Sequence, residues 1–246
     1  MQNYLSKFCL FFLVCLVNFS QPVYAQNFND SLKIADQRFQ QNEYLRSLAV
    51  YEEILQSGKE YSPQMLLKMA YMEEALQHFS ESMYYLNLYY NHHPNRNVLR
   101  KMEEVAQTHG LIGYEYRDAD FFLTQFRKYY LKLLELLLIV AVITVTFIAL
   151  KRKQSFFQSN AFRVSFLVYL AFLFAFINLF TFRRHGITKT SQSAIMERPS
   201  AGSKWLATLN PGNRLTITGE RDIWYEINWN DQKAFIRKQN LHVLTE

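Results

Sequence analysis

The chain alternates between ordinary amphipathic sequence and three long apolar runs, and these runs divide it into parts. The runs cover residues 8–19, 133–150 and 164–182. Between the first two, apolar side chains recur at spacings of three and four, which is typical of amphipathic helices. After residue 192, short apolar stretches alternate with turn residues, which is typical of β-strands. The pattern predicts an all-α module, a transmembrane helical hairpin and an all-β module in one multidomain membrane protein.

Residues 1–25 have the parts of a secretory signal peptide. Lys7 precedes the apolar core at 8–19, and Val23 and Ala25 form the cleavage pattern. The core is short for a membrane span, which disfavours an uncleaved anchor. Both cysteines lie in this run, so a cleaved chain has no thiol for a disulfide, a thiolate metal site or a nucleophile.

The second and third runs predict transmembrane helices at 129–150 and 164–182. Buried core helices are the alternative, but two such runs joined by a short loop at 151–163 favour a hairpin. The loop contains no acid, and the positive-inside tendency places it in the cytoplasm because of four bases: Lys151, Arg152, Lys153 and Arg163. Export of the N-terminal part agrees, so both flanking modules are expected outside the cytoplasmic (inner) membrane.

The module at 26–115 shows an internal repeat with an offset of 35 residues. Repeats are predicted at 28–61 and 63–96, each made of two helices, with a closing helix at 97–107 and a juxtamembrane segment at 116–128. Small residues stand where two helices approach closely. The aligned pairs are Leu32 with Leu67, Ala35 with Ala70, Tyr44 with Phe79, Ser47 with Ser82, Leu48 with Met83, Tyr51 with Leu86, and Ile54 with Tyr89.

This spacing resembles the tetratricopeptide repeat, although serine replaces the usual alanine in both second helices. The resemblance implies that the module binds other proteins. In its aromatic cluster, Tyr84 and Tyr90 are the candidate protein-binding anchors, whereas Tyr85 and Tyr89 are expected between helices.

A polar linker is predicted at 183–192, followed by an all-β module at 193–246. Its short strands in about fifty residues indicate a compact barrel. The order of features resembles a bacterial SH3 domain, with phenylalanine where tryptophan is more common. The strands are predicted around Ala194–Met196, Leu206–Ala207, Leu215–Ile217, Trp224–Trp229 and Ala234–Ile236, and the pattern closes at Leu241–Leu244.

Alternation along the fourth predicted strand separates its side chains into two sets. Tyr225, Ile227 and Trp229 share one face, which is expected to be core. Trp224 lies on the other face. With Trp205 it is a candidate for an exposed groove that binds a peptide or a glycan, against the alternative of plain packing.

Charge and motifs limit the classes of function. The net charge is +6, but much of the excess flanks apolar runs, and residues 26–128 carry fourteen acids against eleven bases. That distribution disfavours a nucleic-acid partner. No phosphate loop, nucleophile elbow or zinc-binding helix occurs, so no catalytic residue, cofactor or metal site is expected. His92 and His93 fit a solvated turn, and Asp118 and Asp120 fit helix capping.

The full order of parts is similar to the BatE-type proteins of the Bat aerotolerance operon. The resemblance implies an envelope complex with von Willebrand factor A membrane proteins and a MoxR-type ATPase. The principal hypothesis is a non-enzymatic scaffold or adaptor for envelope proteins. The second is a cell-wall sensor whose SH3-like module binds peptidoglycan.

Overall fold

A computed structural model describes residues 25–57, 61–150, 159–179 and 184–244 of the chain. The predicted signal peptide and most of the predicted cytoplasmic loop lie outside the described residues. The chain divides into two compact units, of which the first ends at Met72 and the second begins at Glu73.

Five helices occupy the region of the predicted repeats. They are α1 (Ala25–Gln40), α2 (Tyr44–Gln56), α3 (Pro63–Ala75), α4 (Phe79–His92) and α5 (Arg96–His109). The boundary between the two units falls within α3. Helix α5 begins at the Asn95 cap, whose side chain accepts a hydrogen bond from the Asn97 amide, and ends at Gly110 in the left-handed conformation.

The turns inside the two predicted helix pairs have the same backbone geometry. Asn42 and Gln77 both adopt positive φ, at 58° and 65°. In each turn the next amide bonds back across the helix end: Glu43 N donates to Arg38 O at 3.0 Å, and His78 N donates to Glu73 O at 2.8 Å. The structure therefore repeats at the offset seen in the sequence.

In the first unit, polar contacts tie the helices around a small buried residue. Ala35 is fully buried, and Ser47 Oγ donates to its carbonyl oxygen at 2.8 Å. Asp36 accepts a hydrogen bond from the Tyr51 hydroxyl and pairs with Lys68 Nζ at 2.7 Å. Ser47 is therefore small enough to pack closely, and its hydroxyl bonds to the backbone of the neighbouring helix. This explains why serine can replace alanine at position 47.

Two helices in the second unit have the length and composition of membrane spans. Helix α6 (Asp118–Leu150) has 33 residues and α7 (Asn160–Leu179) has 20, and their apolar windows are not buried within the protein. At 1.5 Å per residue α6 is about 50 Å long, well beyond a hydrocarbon core of about 30 Å. Its apolar part, 133–150, corresponds to the predicted span, and its N-terminal turns lie in the predicted juxtamembrane segment.

The two long helices lie side by side. The rings of Tyr130 and Phe176 stack with centroids 5.1 Å apart, and the Tyr169 hydroxyl donates to Leu137 O. Because the first pair joins the start of the span in α6 to the end of α7, the helices run antiparallel. This arrangement agrees with the predicted hairpin.

The C-terminal part, called here the β domain (residues 184–244), is a seven-stranded antiparallel sheet. Its order is β3-β2-β6-β5-β4-β1-β7. The strands are β1 (Arg184–Thr188), β2 (Ser193–Met196), β3 (Trp205–Leu209), β4 (Arg214–Arg221), β5 (Trp224–Trp229), β6 (Gln232–Arg237) and β7 (Leu241–Val243), and a 3-10 turn at Lys238–Asn240 precedes β7.

Strand β1 falls in the stretch predicted as a polar linker, so that expectation is wrong for its residues. β1 pairs with β4 on one side and with β7 on the other. At Gly186, an added Cβ would lie 3.3 Å from methyl groups of Ile217 and Leu241. A polar sequence forms a strand here because neighbouring strands supply both its hydrogen bonds and its packing.

The core of the β domain lies on one face of the sheet, as the alternation predicts. Ile227 is fully buried in it, and Tyr225 and Trp229 pack against it while partly exposed. The other buried members of this core are Ile195, Leu209, Leu215, Ile217, Ala234, Ile236 and Leu241.

Candidate functional site

The opposite face of the sheet carries a second, smaller apolar cluster. Met196, Trp224 and Phe235 form it, and Trp224 is only 5% exposed. The expectation that Trp224 lines an exposed groove is therefore wrong. Its position opposite the main core was predicted correctly, but that face is not bare to solvent.

The strand register places these residues in rows across the sheet. One row runs Trp205–Met196–Phe235–Glu226 over β3, β2, β6 and β5. The next row runs Arg221–Trp224–Arg237 over β4, β5 and β6. Lys233 lies two positions before Phe235 and faces the same way. These eight residues are called the outer face below: Trp205, Met196, Phe235, Glu226, Arg221, Trp224, Arg237 and Lys233.

Arginine side chains lie over two of the three aromatic rings of the outer face, those of Trp224 and Phe235. The Arg237 guanidinium lies 5.6 Å from the centre of Trp224, and that of Arg221 lies 5.9 Å from the centre of Phe235. The apolar stems of arginine cover rings while the charged ends stay in water, and the rings attract the cations. Trp224 is buried for this reason.

Glu226 balances part of the positive charge. Its carboxylate lies 2.7 Å from Lys233 Nζ and 3.9 Å from Arg221 Nε. The hydrogen bond from Lys233 lowers the pKa of the Glu226 carboxyl, so the group is ionised at neutral pH. Three bases against one acid leave the outer face positively charged.

Trp205 is the exposed aromatic of this face. It is 60% exposed, and its indole N–H donates to Thr208 Oγ1 at 3.1 Å. It stands at the start of β3, which lies at one end of the sheet, so that among the described residues one edge of β3 has no strand partner. The exposure expected for Trp205 is present, and its role in ligand binding stays a prediction.

The segment between α5 and α6, residues 111–116, is bonded to the β domain and is called the docking segment below. Arg214 N donates to Ile112 O at 3.0 Å, and Ile112 N donates to Asn213 Oδ1 at 2.9 Å. The buried Tyr114 hydroxyl donates to Gly212 O at 2.7 Å. Gly113 makes this approach possible: its φ is +87°, and an added Cβ would lie 2.1 Å from Arg214 O.

Helix α4 meets the β domain as well. Ser80 Oγ donates to Thr188 O at 2.9 Å in a buried bond. The ring of Tyr84 lies 4.9 Å from that of His242. Burial, and then the charge of Lys189, lower the pKa of His242, which favours the neutral imidazole in this contact.

Comparison with known families identifies the β domain. Residues 197–242 match the family model of the bacterial SH3 domain. The match confirms the SH3-like expectation for this part, less than a fifth of the chain. The match to this family suggests that the domain binds proteins or peptidoglycan. No curated protein matches the chain.

Of the two tyrosines predicted as protein-binding anchors, Tyr90 is buried and Tyr84 is partly covered. Tyr90 is only 2% exposed, and its ring lies 6.0 Å from that of Tyr116. Tyr84 is half-buried against the SH3-like domain, and burial raises its pKa. Tyr85 is buried as expected, whereas Tyr89 is part-exposed rather than core.

The first unit contains an aromatic cluster that the sequence pattern did not predict. The rings of Phe39, Tyr44 and Tyr71 lie 6.0–6.2 Å from one another, and Tyr71 is 56% exposed. The alignment of Tyr44 with Phe79 was the available signal. Phe79 stacks on His109 with centroids 3.6 Å apart, whereas the first-unit cluster keeps an exposed ring.

In the described part of the chain, no group of three or more His, Cys, Asp or Glu side chains is placed to hold a metal ion. Asp120 acts as a helix cap, because its carboxylate accepts the Arg117 amide at 2.9 Å.

Proposed function

We propose that this chain is a non-enzymatic, membrane-anchored scaffold that holds proteins of a cell-envelope complex. The observation that carries the proposal is the hydrogen-bonded contact of the docking segment and helix α4 with the SH3-like domain, called the dock below. The parts joined by the Tyr114–Gly212 and Ser80–Thr188 hydrogen bonds lie on opposite sides of the α6–α7 hairpin in the sequence.

The dock has a topological consequence if the hairpin crosses a bilayer. Buried hydrogen bonds between residues on both sides of the hairpin require both parts to lie on the same side of that bilayer. An antiparallel pair of spans satisfies this requirement, since its two outer ends meet at one surface. The basic 151–163 loop then lies on the other side, and the positive-inside tendency assigns that side to the cytoplasm.

The helices supply the protein-binding part of the proposal. Their repeat at 35 residues supports a tetratricopeptide-type module, and the exposed ring of Tyr71 offers a contact surface. The similarity in the order of parts to BatE-type proteins supports partners of the von Willebrand factor A membrane class and a MoxR-type ATPase. It also supports a link to aerotolerance.

The topology is tested with alkaline phosphatase fusions. Fusions after residue 128 and at the C-terminus are expected to be active, and a fusion near Gln158 is expected to be inactive. An active fusion near Gln158 would exclude the proposed arrangement.

The scaffold role is tested by cross-linking the tagged full-length chain in native membranes and identifying captured proteins by mass spectrometry. The expected products are specific envelope proteins whose recovery falls in a Tyr71→Ala variant. Ala49→Ser, an exposed change on α2, is the control. Recovery of no specific protein would refute the scaffold role.

A cell-wall sensor is the second candidate, favoured by the bacterial SH3 match and the exposed Trp205. It predicts that the full-length protein in detergent sediments with purified peptidoglycan sacculi, and that Trp205→Ala reduces this binding. Sedimentation without sacculi provides the background.

A further inference from the structure

We infer that the outer face of the SH3-like domain binds an acidic, extended segment of a partner polypeptide. This inference rests on the proposed scaffold function and specifies what the domain would recognise.

The first step is the charge of the face. The side chains of Arg221 and Lys233 are 61% and 56% exposed, and Arg237 is also exposed. Glu226 is shared by Lys233 and Arg221, and within the described parts of the chain no carboxylate lies at ion-pair distance from Arg237. A ligand carboxylate would therefore find a guanidinium without a competing acid, in the fork geometry that suits it.

The second step is the shape of the ligand. The bases lie on β4 and β6 and the exposed Trp205 lies on β3, so the outer face spans five neighbouring strands, about 19 Å at about 4.8 Å per strand. An extended polypeptide of about six residues covers this distance, with Trp205 as an anchor at one end. Acidic residues at alternate positions fit the bases, because alternate side chains of an extended segment point to the same side.

Nucleic acid fits less well. Stacking of bases needs open aromatic faces, but the rings of Trp224 and Phe235 are buried beneath arginines. Trp205 alone is available. The observations thus favour carboxylates on a peptide over phosphates on a strand of bases.

The test uses the full-length protein in detergent and a fluorescent peptide of alternating glutamate and valine, followed by anisotropy. Binding is expected, with weakening by salt, and a glutamine–valine peptide is expected to bind much less. The double variant Arg221→Gln/Arg237→Gln should lower the affinity about tenfold, since two exposed ion pairs of about 0.7 kcal/mol each correspond to that factor.

The matched control is Arg184→Gln/Lys189→Gln, which removes the same charge from the same domain outside the outer face. It should leave the affinity within about twofold. Because Arg237 and Arg221 also lie over Trp224 and Phe235, Lys233→Gln is a second variant that needs no change in that packing. It leaves Glu226 without its closest base and should also weaken binding.

Three results would overturn the inference: equal binding of the glutamine–valine peptide, equal losses in the control variant, or tighter binding of oligothymidylate with the same dependence on the arginines. Membrane cross-linking separates this failure from failure of the scaffold proposal. If the same partners are captured by the wild type and by the arginine variant, the scaffold role stands and the outer face is not its binding site.

Discussion

Gly113→Ala tests whether the docking segment holds the helices to the SH3-like domain. The substitution places a Cβ 2.1 Å from the backbone oxygen of Arg214 at a φ of +87°. A non-glycine residue in the left-handed region costs about 1–2 kcal/mol. To relieve the clash, the docking segment must move away from the backbone at Arg214. This movement breaks the Ile112–Arg214 and Ile112–Asn213 hydrogen bonds, each worth about 1 kcal/mol.

The dock should therefore weaken by about 3–4 kcal/mol, which corresponds to more than a hundredfold in its opening equilibrium. Hydrogen–deuterium exchange of the full-length protein in detergent measures that opening locally. The reporting amides are those of Ile112 and Arg214, because both donate hydrogen bonds across the dock. Both should exchange at least about a hundredfold faster in the variant.

Gly110→Ala is the matched control. Gly110 also has positive φ, at +62°, but an added Cβ would meet nothing within 4 Å. It therefore carries the backbone strain without the clash. If the Ile112 and Arg214 amides exchange no faster in Gly113→Ala than in Gly110→Ala, the close approach of the two backbones does not hold the dock.

Three further predictions follow from burial. Ala70→Leu, at a 2% exposed position, should lower stability by about 1–3 kcal/mol in thermal melts, whereas Ala49→Leu on the exposed side of α2 should not. Equal losses of stability in the two variants would contradict the helix packing. Trp224→Ala should destabilise the protein by about 3–5 kcal/mol, a loss similar to that of about 2–5 kcal/mol expected for Ile227→Ala. If Trp224→Ala melts at the same temperature as the wild type, the tryptophan is exposed after all. Folding lowers the pKa of His242 below its ordinary value of 6.5, so the stability that its contact contributes should be complete above pH 6.5 and lost as the pH falls through the folded pKa. His242→Gln should remove this contribution from thermal melts recorded across that pH range. A pH profile of melting that is unchanged in the variant would contradict the prediction.

The local pattern of the sequence was sufficient for the elements. The 35-residue offset predicted the helix pairs, because the period of apolar positions is a local property. The apolar runs predicted two long helices for the same reason. Alternation along β5 correctly separated Ile227 from Trp224, since successive side chains of a strand must point to opposite faces.

The local sequence pattern does not show which side chains pack over a given face of a strand or helix. Trp224 is buried because Arg237 lies on the adjacent strand, and Tyr84 is half-buried because His242 lies against it from far along the chain. Arg184–Thr188 forms a strand because β4 and β7 pair with it. Each of these outcomes depends on partners brought close only by the folded chain. The sequence by itself therefore determined the helices, the apolar spans and the two sides of the strands, whereas the tertiary structure decided which aromatic side chains remain exposed for binding.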